Sequence, residues 1–509
     1  MTEEWKKRKQ EYRDCWKDVP ELLEMAEHLL ETESSKKQQE ETIRDIVTVY
    51  VTAPLLCEYI AWVVWEAALS GKKRLYFLAR DGYYMKQAAE VFCSAWNLEL
   101  ECRYLYGSRY AWRGAVYHMN TEEALDYITL GGLEAGFQKM MQRAGLTKEE
   151  TAEIAELLGY EETSQKRLSE TERNRLRYEL TECRSFMELL QKHSKEKYDS
   201  TIAYLSQEGL LDNVPYSLVD SGWTGSLQKS LAKLLKSTGC NKVPEGYYFG
   251  MYHRPKEKEA GLYHTYYFAP DSFIRRKVFF NNNVFECVYS APHGMTTGYV
   301  KKDKWIPVLE QKDNPNKKRL VVAEPLLSAC IKEYAVLYKG QDIQDTWEET
   351  TANCGWTRKN NTKKGRTSKK RMERLLRLFM GRPTKEEALE YGSFVFCDDV
   401  IGEEKQTLAG KLSREELKHG FLLVKLWNKV GRHFGKAGSI GRESAWPEGS
   451  VALVMGKKGF WHCALCEYVR LTVETLKNRR KGKISYDRSK KRKNEAIHIC
   501  DKRTYIKRN

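Results

Sequence analysis

The sequence predicts an α/β protein with a mostly parallel sheet core, a helical insertion and a helical C-terminal region. Short continuous apolar runs predict the sheet, because strands that are covered on both faces lose the alternation of half-exposed strands. Three such runs are Arg74–Ala79 (RLYFLA), Tyr216–Val219 (YSLV) and Gly246–Met251 (GYYFGM). A helical segment follows each of the first two, which is typical of parallel sheets.

Ahead of the first strand, the apolar stretch Ile46–Leu69 is long enough to span a bilayer. Pro54, Glu58 and Glu66 interrupt it, and a strand follows it directly. We therefore expect a buried helix that ends at Gly71, because glycine commonly terminates helices.

The chain after the first strand continues the alternating pattern. Arg80-Asp81-Gly82 leads into a predicted helix at Tyr83–Trp96 and a second strand at Glu101–Tyr106. The predicted organisation is an N-terminal helical segment at 1–45, an α/β core at 46–310 with a helical insertion at about 120–208, a helical region at 311–450, and a C-terminal helix with a basic tail at 451–509.

The composition is that of a folded chain, since 41% of the 509 residues are apolar. The 13 cysteines form no repeating framework, and Met1–Gln10 is charged with no apolar segment after it. We therefore expect a cytoplasmic protein with free thiols. Cys463 and Cys466 have CxxC spacing beside His462, but no second pair completes a zinc site, so we favour a helix there.

The formal charge of +16 favours anionic partners such as phosphorylated substrates, an acidic membrane surface or nucleic acid. Much of it lies in the runs Arg358–Arg371 and Lys477–Lys493, which a solvated loop and a solvated tail would also explain. A helix near Trp461 followed by the second run would suit peripheral contact with the inner face of the cell membrane.

The strongest local pattern is a strand that ends at Asp220 and runs into a small-residue loop. A glycine-rich turn lets the backbone approach an anion, and the following helix directs its positive end toward it. Hydroxyl side chains would add donors. The alternative is an ordinary strand-to-helix turn in which Asp220 caps the helix. The candidate phosphate-binding residues are Ser221, Gly222, Trp223, Thr224, Gly225 and Ser226.

A second group of candidates follows other strands. Arg80, Asp81 and Gly82 end the first strand, so Asp81 and Asp220 would meet at one edge of a parallel sheet. Arg109 follows the second strand, and guanidinium groups bind phosphate well. From FECVYSAPHGMTTGY, we expect Glu286 and His293 to complete the site, with Gly294 and Gly298 nearby; Arg113 is a further candidate for phosphate.

Together these segments resemble a family of bacterial proteins encoded with cell-surface polysaccharide genes and often labelled predicted hydrolases of the haloacid dehalogenase superfamily. The matching segments, over roughly residues 45–450, are FLARDGYYM, the Ser-Arg of YGSRY, LVDSGWTGSLQ, ECVYSAPHGMTTGY and, more loosely, GRPTKEEALEYGSFVFCDD.

The hydrolase label conflicts with the residues. That chemistry needs a nucleophilic Asp and a second Asp two positions later, but Tyr83 follows Asp81 at that distance and Gly222 follows Asp220. The resemblance instead implies the domain that transfers 5-phosphoribose from phosphoribosyl pyrophosphate to a glycan acceptor.

In this interpretation Asp81 is the base or stabilises positive charge on the sugar. Asp220 would hold the ribose, and either aspartate could hold Mg²⁺. Arg80 and Arg109 would neutralise pyrophosphate, and Glu286 is a second candidate for the base. The alternatives are a haloacid dehalogenase-like phosphatase and a non-catalytic basic module that binds nucleic acid or membrane, although no nucleic-acid fold signature is present.

Overall fold

A five-stranded, all-parallel sheet forms the centre of the protein, which confirms the predicted α/β class. The computed structural model describes residues 2–131, 136–161, 168–240, 242–253, 262–270, 272–311, 313–339, 363–396, 406–410, 412–413, 444–456, 459 and 461–477. The strands are β1 (Arg74–Leu78), β2 (Glu101–Leu105), β3 (Tyr216–Trp223), β4 (Gly246–Met251) and β5 (Tyr263–Phe268).

The strand order β2-β1-β3-β4-β5 determines where a ligand site can form. From β1 the chain goes to β2 on one side and later returns to β3 on the other, and Phe77 of β1 is aligned with Val219 of β3. Such a reversal leaves a crevice at the carboxyl ends of the two strands, where open α/β sheets bind ligands. The crevice here lies between β1 and β3.

Helices cover both faces of the sheet. Before and between the strands lie α1 (Glu3–Cys15), α2 (Pro20–Lys37), α3 (Ile43–Leu69), α4 (Gly82–Trp96), α5 (Arg109–Gly114), α6 (Thr121–Ile128), α7 (Phe137–Ala144), α8 (Lys148–Leu158), α9 (Glu170–Glu182), α10 (Arg184–Gln207) and α11 (Ser226–Ser237). The later elements are α12 (Ile274–Phe279), α13 (Asn282–Tyr289), the hairpin β6 (Thr296–Lys301) and β7 (Trp305–Leu309), α14 (Lys317–Lys339), α15 (Lys363–Leu376), α16 (Lys385–Gly392), the short pair β8 (Val395–Phe396) and β9 (Gln406–Thr407), α17 (Pro447–Met455) and α18 (461–477).

The apolar helix α3 lies inside the protein, as the sequence predicts. In the described part of the chain it is the one helix long and apolar enough to cross a membrane, and its most apolar window is 100% buried. The Tyr59 hydroxyl donates to the carbonyls of Asp220 and Tyr247, both at 2.9 Å. This core helix therefore supports the strands that lead to the crevice. Gly71 ends α3 with a positive φ of 67°.

Alternate side chains of β1 enter two different cores, because successive residues of a strand point to opposite faces. Leu75 and Phe77 join a large cluster that includes α1 to α4, α14 and parts of α15 and α16. Tyr76 and Leu78 pack with α5, α10 and α11 on the other face. Helices α6 to α9 and the start of α10 have a hydrophobic cluster of their own.

Two features differ from the sequence prediction. Strand β3 continues to Trp223, so the predicted loop Ser221–Ser226 is wrong: only Thr224 and Gly225 separate β3 from α11. The extension pairs with β4, whose Met251 is aligned with Trp223. The sequence also predicts a loop at Ser290–Tyr299, which is wrong in its second half, where β6 begins.

The sequence assigned the chain after β4 only in part. Strand β5 and helices α12 and α13 occupy a region whose pattern was too mixed to assign. Pro447 starts α17 rather than closing a linker. The sequence also predicts a helix at Ser413–Val430 and a linker at 431–447, and both lie mostly outside the described residues, as do the first five residues of the basic run 358–371.

Candidate active site

Asp81 and Asp220 meet at the crevice through Ser221. Asp81 follows β1 and precedes the first residue of α4, and Asp220 lies in β3. The Ser221 hydroxyl donates to Asp81 Oδ2, and the Ser221 backbone N–H donates to Asp220 Oδ1 at 2.9 Å. One serine thus holds both carboxyl groups at the same edge of the sheet, as the parallel strands predicted.

Glu286 brings a third carboxyl group to this edge from α13. The indole N–H of Trp223 donates to Glu286 Oε1. The Trp223 ring packs against Phe280 and Phe285, with ring centroids 5.2 and 5.7 Å away. Trp223 therefore positions Glu286, and its predicted contact with a phosphate stays a prediction.

The charge of Asp81 raises the pKa values of the other two carboxyl groups. Burial raises the pKa of Glu286 to about 7, and the charge of Asp81 adds to the effect. Burial and the neighbouring Asp81 carboxylate raise the pKa of Asp220 well above its usual range, and Asp220 is only 8% exposed. Burial also raises the pKa of Asp81, against the lowering effect of its hydrogen bond from Ser221. A cluster with such shifts is typical of sites that transfer protons.

Two arginines supply the positive charge beside this cluster. Arg80 and Arg109 both lower the pKa of Asp81 electrostatically. Among the described residues, neither guanidinium makes a hydrogen bond or an ion pair within 4 Å. Ser108 caps the helix that starts at Arg109, since its hydroxyl accepts from the Ala111 N–H and donates to the Thr296 carbonyl. The two cations are therefore placed near the carboxylates and remain available to an anion.

Two of the predicted glycines are required by the packing of the chain. A Cβ at Gly82 would lie 2.7 Å from the carbonyl carbon of Phe77, so only glycine lets α4 start this close to β1. Gly222 has a φ of 113°, and a Cβ there would lie 2.4 Å from the carbonyl oxygen of Gly250. These contacts explain the two glycines without any bound anion.

The remaining residues of the predicted phosphate loop have other roles in the structure. Thr224 is exposed, and its N–H donates to the Gly222 carbonyl at 3.1 Å. Gly225 precedes the first residue of α11, and the Ser226 carbonyl accepts from the Ser230 hydroxyl. Asp220 does not cap α11, since its described hydrogen bond is to the Ser221 N–H. These contacts are those of a strand-to-helix turn, and phosphate binding by these residues stays a prediction.

His293 lies beside the carboxylates, but its hydrogen bonds go elsewhere. Its Nδ1–H donates to the Gly294 carbonyl at 2.7 Å, so Nε2 accepts from the Tyr104 hydroxyl at 2.8 Å. Burial lowers the pKa of His293, which favours this neutral form. Its ring centroid lies within 6.4 Å of those of Tyr83, Tyr104 and Tyr106. His293 thus orders an aromatic cluster rather than contacting the three carboxyl groups.

The sequence analysis missed this aromatic cluster. Tyr83 begins α4 directly after Asp81 and Gly82, and Tyr104 and Tyr106 lie at the carboxyl end of β2. All three rings are half-buried. The available signal was their position, since Tyr83 starts the helix predicted after Asp81 and Tyr104 and Tyr106 end the predicted strand Glu101–Tyr106. Tyrosine is abundant in this chain, with 30 copies, so this signal carried little information.

Two further candidates lie apart from the site. Arg113 stacks over the ring of Tyr127 at 4.4 Å, and Gly298 lies within β6.

Cys466 Sγ is 3.5 Å from His462 Nε2. In the described ranges, no group of three or more His, Cys, Asp or Glu side chains is arranged to hold a metal ion.

Comparisons with known proteins add no family. No protein-family model and no curated protein matches this chain.

Proposed function

We propose that the protein is a glycosyl or phosphoribosyl transferase of cell-surface polysaccharide biosynthesis, with a phosphorylated sugar donor such as phosphoribosyl pyrophosphate. One observation carries the proposal. Three carboxyl groups with raised pKa values lie beside two arginines without partners among the described residues, at the switch point of a parallel sheet. An anionic sugar donor would match both kinds of group. Its phosphates need the arginines, and its reacting carbon develops positive charge that the carboxyl groups can stabilise.

In the reaction, the bond between the sugar C1 and the pyrophosphate oxygen breaks, and its electron pair leaves with pyrophosphate. Arg80 and Arg109 would neutralise the leaving group, since guanidinium forks fit phosphate oxygens. The sugar then carries oxocarbenium-like charge at C1, which the carboxylates of Asp81 and Asp220 would stabilise. The acceptor hydroxyl oxygen forms the new bond to C1.

The proton of the acceptor hydroxyl needs a base. Glu286 suits this role, because a pKa of about 7 leaves much of it ionised at neutral pH and able to accept a proton. Asp81 is the alternative base. The tyrosines beside Arg80 offer ring faces to the acceptor, since aromatic side chains combine an apolar face with a polar group.

Carboxylate oxygens are also ligands that Mg²⁺ accepts. The ion usually binds one or two carboxylates and completes its shell with water and substrate phosphates. Asp81 or Asp220 would hold it together with the donor, and the ion would add to the neutralisation of the diphosphate.

The two alternatives from the sequence receive less support. A haloacid dehalogenase-like phosphatase needs a second Asp two positions after the nucleophile, and Tyr83 takes that position after Asp81. A non-catalytic basic module would not require three buried carboxyl groups that interact electrostatically.

The test is a thermal-shift titration with phosphoribosyl pyrophosphate, with and without Mg²⁺. A ligand that binds only the native state stabilises it by about 2.7 kcal/mol at a hundredfold excess over Kd. We expect a shift for the wild type that Arg80→Ala with Arg109→Ala abolishes. The matched control is Arg113→Ala, which removes an arginine packed on Tyr127 and should keep the shift.

Other ligands refine the result. A shift with a nucleotide sugar alone would keep a glycosyl transferase and replace the donor. No shift with any sugar phosphate, or one that persists in the double variant, would contradict the proposal.

A further inference from the structure

Helix α18 exposes an apolar stripe. Trp461, Leu465, Tyr468 and Leu476 are 76%, 56%, 69% and 53% exposed. Their spacing places them on one face of the helix, with Thr472 between the last two. Single exposed apolar residues are common, but a continuous row of large ones indicates an interaction surface.

The opposite face of α18 is fixed to the rest of the protein. Glu467 is buried and pairs with Arg382 at 2.7 Å and with Arg377 at 3.2 Å. Arg470 pairs with Glu448 of α17, and Glu474 pairs with Lys277 of α12 at 3.3 Å. Other described parts of the chain therefore already cover the buried face of α18.

The sequence that follows the stripe is strongly basic. Residues 478–509 contain 13 Lys and Arg and 3 Asp and Glu, a net charge of +10. Basic clusters next to an amphipathic helix favour anionic lipids, which attract them within a Debye length of the surface. Trp and Tyr side chains suit the interface between lipid headgroups and acyl chains.

We propose that α18 and the basic segment after it dock the protein on an anionic phospholipid bilayer, with the helix lying in the plane of the surface and its apolar stripe facing the lipid. The proposal does not rest on the proposed function. A second copy of the chain fits less well, because two segments of charge +10 would repel each other. Nucleic acid would attract the charges but would leave Leu465 and Leu476 without an apolar partner.

The experiment is co-sedimentation of the full chain with vesicles of phosphatidylcholine alone and of phosphatidylcholine mixed with phosphatidylglycerol. The wild type should bind only the mixed vesicles, and binding should weaken as salt rises. Leu465→Ser with Leu476→Ser should lower the partition coefficient at least tenfold, since burial of a leucine is worth about 1.5–3 kcal/mol, a factor of more than ten. The variant Arg479→Gln with Arg480→Gln and Lys481→Gln should lower the partition coefficient about 100-fold. Each charge that is removed should lower it roughly fivefold.

Two controls keep the outcome clear. Leu69→Ser with Leu157→Ser changes two leucines that are 66% and 58% exposed elsewhere on the protein, and it should bind like the wild type. Equal melting temperatures for both pairs would show that the stripe variant is folded.

The proposal fails if the wild type does not sediment with anionic vesicles, or if the stripe variant binds as well as the control. It also fails if light scattering shows that the stripe variant changes the oligomeric mass of the protein while vesicle binding stays the same.

Discussion

The arginines at the two ends of the central sheet differ in their hydrogen-bond and ion-pair partners. At the amino end of β1, Arg74 is 7% exposed and bonds to Glu101, to Asp212 at 3.3 Å and to the Gly209 carbonyl at 3.1 Å. Just beyond the carboxyl end of the same strand, Arg80 has no such partner among the described residues, although three carboxyl groups lie close by.

This difference suits the amino end to stability and the carboxyl end to ligand binding. Charges at the amino end are matched by local partners, which lowers the cost of burying them. At the carboxyl end, the Asp81 carboxylate raises the pKa of Asp220 and of Glu286, while Arg80 and Arg109 have no direct pair among the described residues. Such an arrangement costs stability, and a ligand that brings its own negative charge to the arginines would reverse part of that cost. Four predictions test this comparison.

The largest effect is expected from glycine substitutions at the two ends. Gly222→Ala should lower the free energy of unfolding by about 3–5 kcal/mol, because a positive φ is strained for alanine and the new Cβ would overlap the Gly250 carbonyl. Gly71→Ala, with φ of 67° but open space around the Cβ, should cost about 1–2 kcal/mol. Urea unfolding measures both, and equal losses would show that the carboxyl end is no more tightly packed.

Arg74 should matter mainly for stability, and Arg80 should matter mainly for donor binding. Arg74→Ala should cost about 1–3 kcal/mol of unfolding free energy, a range reduced because its partner Glu101 is partly exposed. Arg80→Ala should change stability by less than about 0.5 kcal/mol. Ligand titrations should show the reverse order, with donor binding weakened only by Arg80→Ala. If Arg74→Ala loses donor binding while its circular dichroism stays native-like, the contrast between the two arginines would be contradicted.

Glu286→Gln should stabilise the protein at high pH. The folded pKa is raised from the ordinary 4.5 to about 7, so the ionised form is disfavoured in the folded state, and wild-type stability falls as the pH rises through this window. Gln does not ionise, so its advantage should be absent below pH 4.5, grow up to about pH 7 and then stay at about 3 kcal/mol. Melting curves across this range would reveal a constant difference if Glu286 has an ordinary pKa.

Trp223→Phe should have the smallest effect. Phenylalanine keeps an aromatic ring against Phe280 but removes the donor that lowers the pKa of Glu286. The pKa should rise by about one further unit, because a hydrogen bond to a charged group is worth about 1.5 kcal/mol. The pH at which the advantage of Glu286→Gln stops growing should move upward when both are measured in the Trp223→Phe background, because that pH is set by the folded pKa. No movement would mean that the indole hydrogen bond does not set the ionisation.

Several features followed from local sequence patterns. The apolar runs identified β1 and β4 and the start of β3, because strands buried on both faces have no polar alternation. The burial of α3 followed from the charges and the proline within it. The expectation that Asp81 and Asp220 share one edge needed only that their strands be parallel.

The sequence by itself thus determined the class of fold, the buried helix and the edge of the sheet where polar residues gather, since each depends on patterns within a few residues. Only the tertiary structure decided that β3 continues through Gly222 and Trp223, because that extension depends on pairing with β4 and on the close approach of Gly250. It also decided that Trp223 holds Glu286 and that His293 faces Tyr104, contacts that span 63 and 189 residues. Contacts between such distant residues arise from packing of whole elements, which no local pattern records.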